Sequence, residues 1–187
     1  VKALADDGTG WSSDVAEGVI YAVDHGAGVI SLSLSSSGNS VLAQAVEYAR
    51  SRGVVVVAAG GNARRLGSPI AYPAALPGVI AVAATDATDT DAAFSNTGTY
   101  IDVAAPGVAI RSTLPEGAYG SMSGTSMAAP HVSAIAALLL AEIADAGPVA
   151  SGDPVFDLLT RTAEDLGQPG WDPAFGYGLV DPVAALN

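Results

Sequence analysis

Hydrophobic positions along the chain recur with two different spacings. Over residues 13–25, Val15, Val19, Ala22 and Val23 fall on one helical face, with Ser12 or Ser13 as N-cap and Gly26 or Gly28 beyond the end. Residues 40–52 repeat the pattern with Val41, Ala45, Val46 and Ala49 inward. Between and after these helices lie VISLSL at 29–34, VVVVAA at 54–59 and VIAVAAT at 79–85. The last two are near-continuous apolar runs rich in β-branched residues, the composition of parallel strands buried on both faces. Residues 1–4 read as a further short strand, and 6–10 as a glycine-rich turn. Strand alternating with helix implies right-handed crossovers: an α/β fold, a doubly wound and mostly parallel sheet with helices on both faces.

The second half is less regular. Prolines 69, 73 and 77 mark a long ordered loop, and 101–105 and 118–122 suggest short strands around the turn APG. Residues 126–143 form a helix that is apolar all round and so belongs in the middle of the fold. Shorter helices follow at 153–162 and 181–186. No repeat, low-complexity segment or linker interrupts the chain, so residues 1–187 read as one domain.

Composition narrows the function. Of 187 residues, 50% are hydrophobic and 14% charged, enough for a sizeable core. A net charge of -12, with 19 acidic against 7 basic residues, leaves no positive cluster to neutralise phosphates and argues against nucleic-acid partners. The pair Arg64-Arg65 reads as a solvated loop. With no cysteine and two histidines, neither a disulfide, a thiolate nucleophile nor a His- or Cys-rich zinc site can be built. The longest uninterrupted apolar runs fall short of the roughly 20 residues that span a bilayer, so no membrane partner is expected. The opening VKALADDGTG lacks the features of a signal peptide and starts in mid-architecture, as a processed product or a fragment would.

One stretch carries chemistry. In GTSMAAPHV, Ser126 opens the apolar helix. A serine there is ordinarily a cap, but Gly124 permits a sharp turn, and a hydroxyl at that position has its own N–H and the helix dipole beside it. His131 is not its base: five helical residues are about 500° of rotation and about 7.5 Å of rise, which aims the imidazole elsewhere. His131 and His25 both read as structural. Asn62 follows a central strand at its C-terminal end, where the sites of open α/β sheets lie. Gly-Gly-Asn is by itself a simple turn; set opposite a helix N-terminus, an amide donor would complete an oxyanion hole.

GTSMAAPHV, with VVVVAAGGN before it, strongly resembles the subtilisin-like (subtilase) serine peptidases, whose nucleophile motif is G-T-S-M-A-x-P-H. The likeness extends over VISLSL, AYPAALPGVIAVAA, FSNTGTYIDVAAPG and GYGLVDPVAAL, essentially the whole chain. It implies that Ser126 is the nucleophile of a secreted endopeptidase, that Asn62 and the Ser126 N–H hold the oxyanion, and that Thr125 is a secondary donor. It implies that Gly8, Thr9 and Gly10 face Ser33, Leu34 and Ser35 across an extended peptide substrate. The S1 pocket then falls between the second of these rails and Ala59, Gly60 and Gly61. No cofactor is implied beyond structural calcium. Asp86, Asp89 and Asp91 lack the pattern of an EF-hand loop and read as a solvated acidic turn, so the loop near Ala74 and Val79 is the better place for a weak cation site.

Two departures matter. The D-[ST]-G and H-G-T-H segments that hold the family's Asp and His do not occur, so the chain resembles the C-terminal portion of a catalytic domain, lacking its N-terminal strands and inactive alone. The missing segment, covalent or associated, is then a partner, and without it an apolar edge at 1–4 or 29–34 is expected to aggregate. Ser35 and Ser36 stand where the family usually has glycine, leaving S1 preference open. A silent peptide-binding module or inactive fragment is the alternative function. A nucleotide-binding domain finds neither G-x-G-x-x-G nor G-x-x-x-x-G-K-[ST].

Overall fold

The computed structural model describes residues 1–38, 40–146 and 153–187. Its centre is a parallel sheet in the order β1 (Val29–Leu32), β2 (Val55–Ala59), β3 (Val79–Thr85), β4 (Val103–Pro106). Every residue of β2 and β3 is buried, as the continuous apolar runs require. Period-two alternation divides those side chains between two cores. Val54, Val56, Ala58, Val79 and Ala81 meet α1 (Ser12–Asp24) and α2 (Ser40–Ser51). Val55, Val57, Ile80, Val82 and Ala84 meet α3 (Thr125–Ala146) and α4 (Pro154–Arg161). Val56, Val57, Ile80 and Val82 are at most 1% exposed, each burial contributing about 1.5–3 kcal/mol. Helices thus cover both faces, as the pattern requires. A two-stranded antiparallel ribbon, β5 (Ile110–Thr113) with β6 (Tyr119–Met122), leads into α3, and α5 (Pro182–Ala185) ends the fold.

Several expectations need correction. Residues 1–4 are not a strand: no neighbouring strand offers them a ladder among the described residues, and Val1 is 79% exposed. A cleft of about 430 Å³, lined in part by Ala3, Leu4, Val19, Ile30 and Leu32, separates them from β1. The N-cap of α1 is Trp11, with no side-chain cap, rather than Ser12 or Ser13. In α2 the inward position is Leu42, 1% exposed, and Val41 points out. The strand expected at 101–105 begins at Val103, and β5, whose residues are exposed but for a half-buried Ile110, gives no apolar alternation by which to read it.

Helix α3 is buried on one face only. Ala128, Ala129, Val132, Ile135, Ala136 and Leu139 pack inward, whereas Pro130, Ala134, Ala137 and Leu138 are exposed, because the described residues supply a sheet on one side alone. Over Thr125–Asp145 its length and mean hydropathy of 1.7 would suffice to cross a membrane. Its packing across all four parallel strands makes it the central helix of the sheet.

Candidate active site

The C-terminal ends of β1 and β2 and the start of α3 converge on one point. Past Leu32, Ser33 leaves the sheet, and its hydroxyl donates to Ser126 O at 2.7 Å. The sequence explains why that carbonyl is free. Its helical donor would be the N–H four residues on, and Pro130 has none. In return Ser126 Oγ donates to Ser33 O at 3.3 Å. Ser126 is the second residue of α3, where an N–H has no acceptor within the helix. Hydroxyl, amide and the positive end of a 22-residue helix thus share one opening.

Asn62 comes to the same place from β2. Thr125, wholly buried, donates both its N–H and its hydroxyl to Asn62 Oδ1, each at 2.9 Å, and accepts the Gly61 N–H at 3.1 Å. With Oδ1 held from that side, Nδ2 lies over Gly124, 3.2 Å from where a β-carbon would sit. The same point is 3.7 Å from the Ser126 N–H nitrogen, so the two donors lie on the same side of Gly124. Ala59, Gly60 and Gly61 are buried beneath it.

The two predicted rails share a cleft. Gly8, Thr9 and Gly10 line it opposite Ser33, Leu34 and Ser35, enclosing about 330 Å³ with Val15 and Leu42 at the base. The first rail is shaped by Asp7, whose Oδ1 accepts the Thr9 N–H and hydroxyl at 2.9 and 2.7 Å. The hydroxyl, more than the amide, holds the Asp7 carboxyl below the usual range. Ser36 pairs with Tyr72 in an antiparallel bridge, which fixes the far end of the second rail.

Neither histidine serves Ser126. His131 Nδ1 is 2.9 Å from Met127 O in its own helix, and His25 lies at the end of α1, stacked on Tyr21 at 3.8 Å. Of the pair read as a solvated loop, Arg65 is exposed, whereas Arg64 is half-buried and tied down: it pairs with Asp91, and its Nε–H donates to Ser95 O at 2.6 Å. The acidic turn is likewise engaged. Asp86 Oδ1 takes the Thr88 N–H and hydroxyl and the Thr90 N–H, so Asp86 and Asp91 are poor cation ligands. Near Ala74 and Val79, the Leu76 carbonyl already accepts the Val79 N–H at 3.2 Å. Among the described residues no three acidic or imidazole groups cluster, so calcium finds no carboxylate cage here.

No motif in the sequence marks the Ser33 hydroxyl as the donor to Ser126 O. Pro130, four residues after Ser126, was the readable sign that an outside donor must reach the Ser126 carbonyl.

The profile of the subtilase family matches residues 1–178. Subtilisin DY of Bacillus licheniformis is 42% identical over the whole chain, which spans 67% of that protein. Thermitase of Thermoactinomyces vulgaris is 51% identical over 76% of the chain, the match spanning 50% of thermitase. A solved lanthipeptide protease superposes with a TM-score of 0.87 at 28% identity, covering 98% of this chain and 68% of that one. The family profile over residues 1–178 and the identity to subtilisin DY over the whole chain place this chain in the subtilase family.

Proposed function

We propose that residues 1–187 are the serine-bearing part of a subtilisin-like endopeptidase, secreted as the family likeness implies, that cleaves peptide bonds through an acyl-enzyme on Ser126. The observation that carries this reading is the pairing of Ser126, at a helix N-terminus, with a carboxamide whose Oδ1 is pinned by Thr125. In the reaction, Ser126 Oγ attacks the scissile carbonyl while its proton passes to a histidine base. The oxygen turned anionic accepts from Asn62 Nδ2 and the Ser126 N–H. Collapse breaks the C–N bond, the base returns its proton to the leaving amine, and water repeats the sequence on the ester. These are the roles known for the subtilisin triad and its asparagine, carried here onto matching positions.

Base and aspartate come from outside the chain in this reading. The open cleft beside β1 and the exposed face of α3 at Ala134, Ala137 and Leu138 suit a further segment of the same domain, covalent or associated. Relatives longer than this chain leave room for one. The resting hydrogen bond of Ser126 Oγ to Ser33 O favours one alternative, a silent module that binds peptides between its rails.

Labelling with a fluorophosphonate separates the two. The intact protein is expected to be modified at Ser126, the Ser126→Ala variant not at all, and residues 1–187 alone only weakly. An intact protein that binds peptides but resists the reagent would be the silent module.

A further inference from the structure

Asn96 lies in the loop after β3, remote in sequence from every residue of the site, and is 1% exposed. A buried carboxamide costs stability unless each of its polar atoms finds a partner, and here the partners flank one residue. The Asn96 N–H donates to Gly61 O at 2.9 Å, and Asn96 Oδ1 accepts the Ala63 N–H at 2.7 Å. The peptide groups on both sides of Asn62 are therefore fixed by the backbone and side chain of a single residue. Asn96 Nδ2 completes the brace by donating to Pro69 O at 3.0 Å. Nearby, the Tyr100 hydroxyl donates to Gly60 O at 2.7 Å. Gly61 adopts φ +105°, and a β-carbon there would sit 2.4 Å from Asn96 Nδ2, so the contact also demands the glycine.

Thr125 grips the Asn62 side chain; nothing in that grip fixes the Asn62 main chain except the Gly61 N–H bond. We propose that Asn96 is a positioning residue for the oxyanion donor, holding the Asn62 backbone so that the carboxamide gripped by Thr125 meets the developing charge. This deepens the peptidase reading and rests on it. Asn96 touches no reacting atom, so its whole effect on the reaction passes through Asn62.

The test is a double-mutant cycle in the intact protein, read on a peptide p-nitroanilide, together with backbone amide exchange. Asn96→Ala is expected to lower kcat about 10- to 100-fold, the scale of a displaced catalytic group, with KM nearly unchanged. In an Asn62→Ala background the same change is expected to alter kcat less than about twofold, because the group it positions is gone. The Ala63 amide is expected to exchange faster in Asn96→Ala and not in Asn62→Ala. Equal kcat losses in the two backgrounds, or an unaltered Ala63 exchange rate, would overturn the proposal. If Asn96→Ala does not fold, Asn96→Ser, whose hydroxyl is too short to reach the Ala63 N–H, is read in the same two ways. A wild-type protein without activity removes the peptidase reading, and amide exchange then decides the brace by itself.

Discussion

Beyond β4 the chain completes its own sheet, whereas beyond β1 the described residues leave a cleft. On the β4 side, Ala104 N–H donates to Gly178 O at 2.8 Å, the Val180 N–H to Ala104 O at 3.0 Å and the Tyr177 N–H to Asp102 O at 2.7 Å. Trp171 adds its indole N–H to Ile101 O at 3.0 Å, and Phe175 packs on Ala83, Ile101 and Ala104. On the β1 side, the apolar cleft opens instead, with residues 1–4 along it in no strand ladder. Both edge strands are short and largely apolar, VISL and VAAP, so apolar content does not distinguish them. What does is whether the outward main-chain groups have partners, since an unpaired edge is a template for another chain. Main-chain groups beyond β4 are thus satisfied within the chain, while the β1 side is where a further strand has room to pair.

The largest effect should come from damaging the closed edge. Phe175→Ala removes a side chain only 9% exposed and is expected to cost about 3–5 kcal/mol, read as a lowered urea midpoint. A loss below about 1 kcal/mol, the average for any substitution, would dissolve the contrast.

Asp102 probes the same seam through pH. Burial raises its carboxyl from 3.8 to about 6, against the opposing pull of the Ala81 N–H. Because the folded value lies above the unfolded one, the folded state holds the proton more tightly. The stability this contributes is complete below about pH 4 and is lost as pH rises through about 6. Wild-type stability relative to Asp102→Asn should therefore fall by up to about 3 kcal/mol from about pH 4 to about pH 7. Parallel stability curves for the two proteins, from denaturant titrations at several pH values, would show that Asp102 titrates as an exposed carboxyl.

The smallest effect on stability, and the sharpest on association, belongs to the open edge. Ser31 is exposed on β1, and Ser31→Lys should change stability by about 0.5 kcal/mol or less while reducing self-association of residues 1–187 in sedimentation velocity. Finding the unmodified chain already monodisperse and cooperatively unfolding would mean that the edge recruits nothing.

The contrast also explains what could be read from the sequence. β3 runs over Val79–Thr85, as its apolar run states, because a strand buried on both faces needs no context to be recognised. Residues 1–4 have strand composition, yet a strand exists only with a ladder, and ladders are set by tertiary structure. Helix α2 buries Ala45, Val46 and Ala49 as its pattern states, and only its first inward position differs, Leu42 for Val41, since two adjacent apolar residues leave the start of a short helix ambiguous. Ser126 and Asn62 stand out as candidates in the sequence because a motif surrounds each. Asn96 does not: a polar residue in the loop FSNTG looks like any turn former until the fold brings it against Gly61 and Ala63.

Pro130 gives the site a mechanical property. By withholding an N–H from Ser126 O, it replaces an internal link of α3 with an external one to the Ser33 hydroxyl. The peptide group of Ser126 is thereby anchored to the segment that leaves β1. Two hydrogen bonds, one in each direction, thus join the first turn of α3 to the chain at the end of the sheet as well as to its own helix.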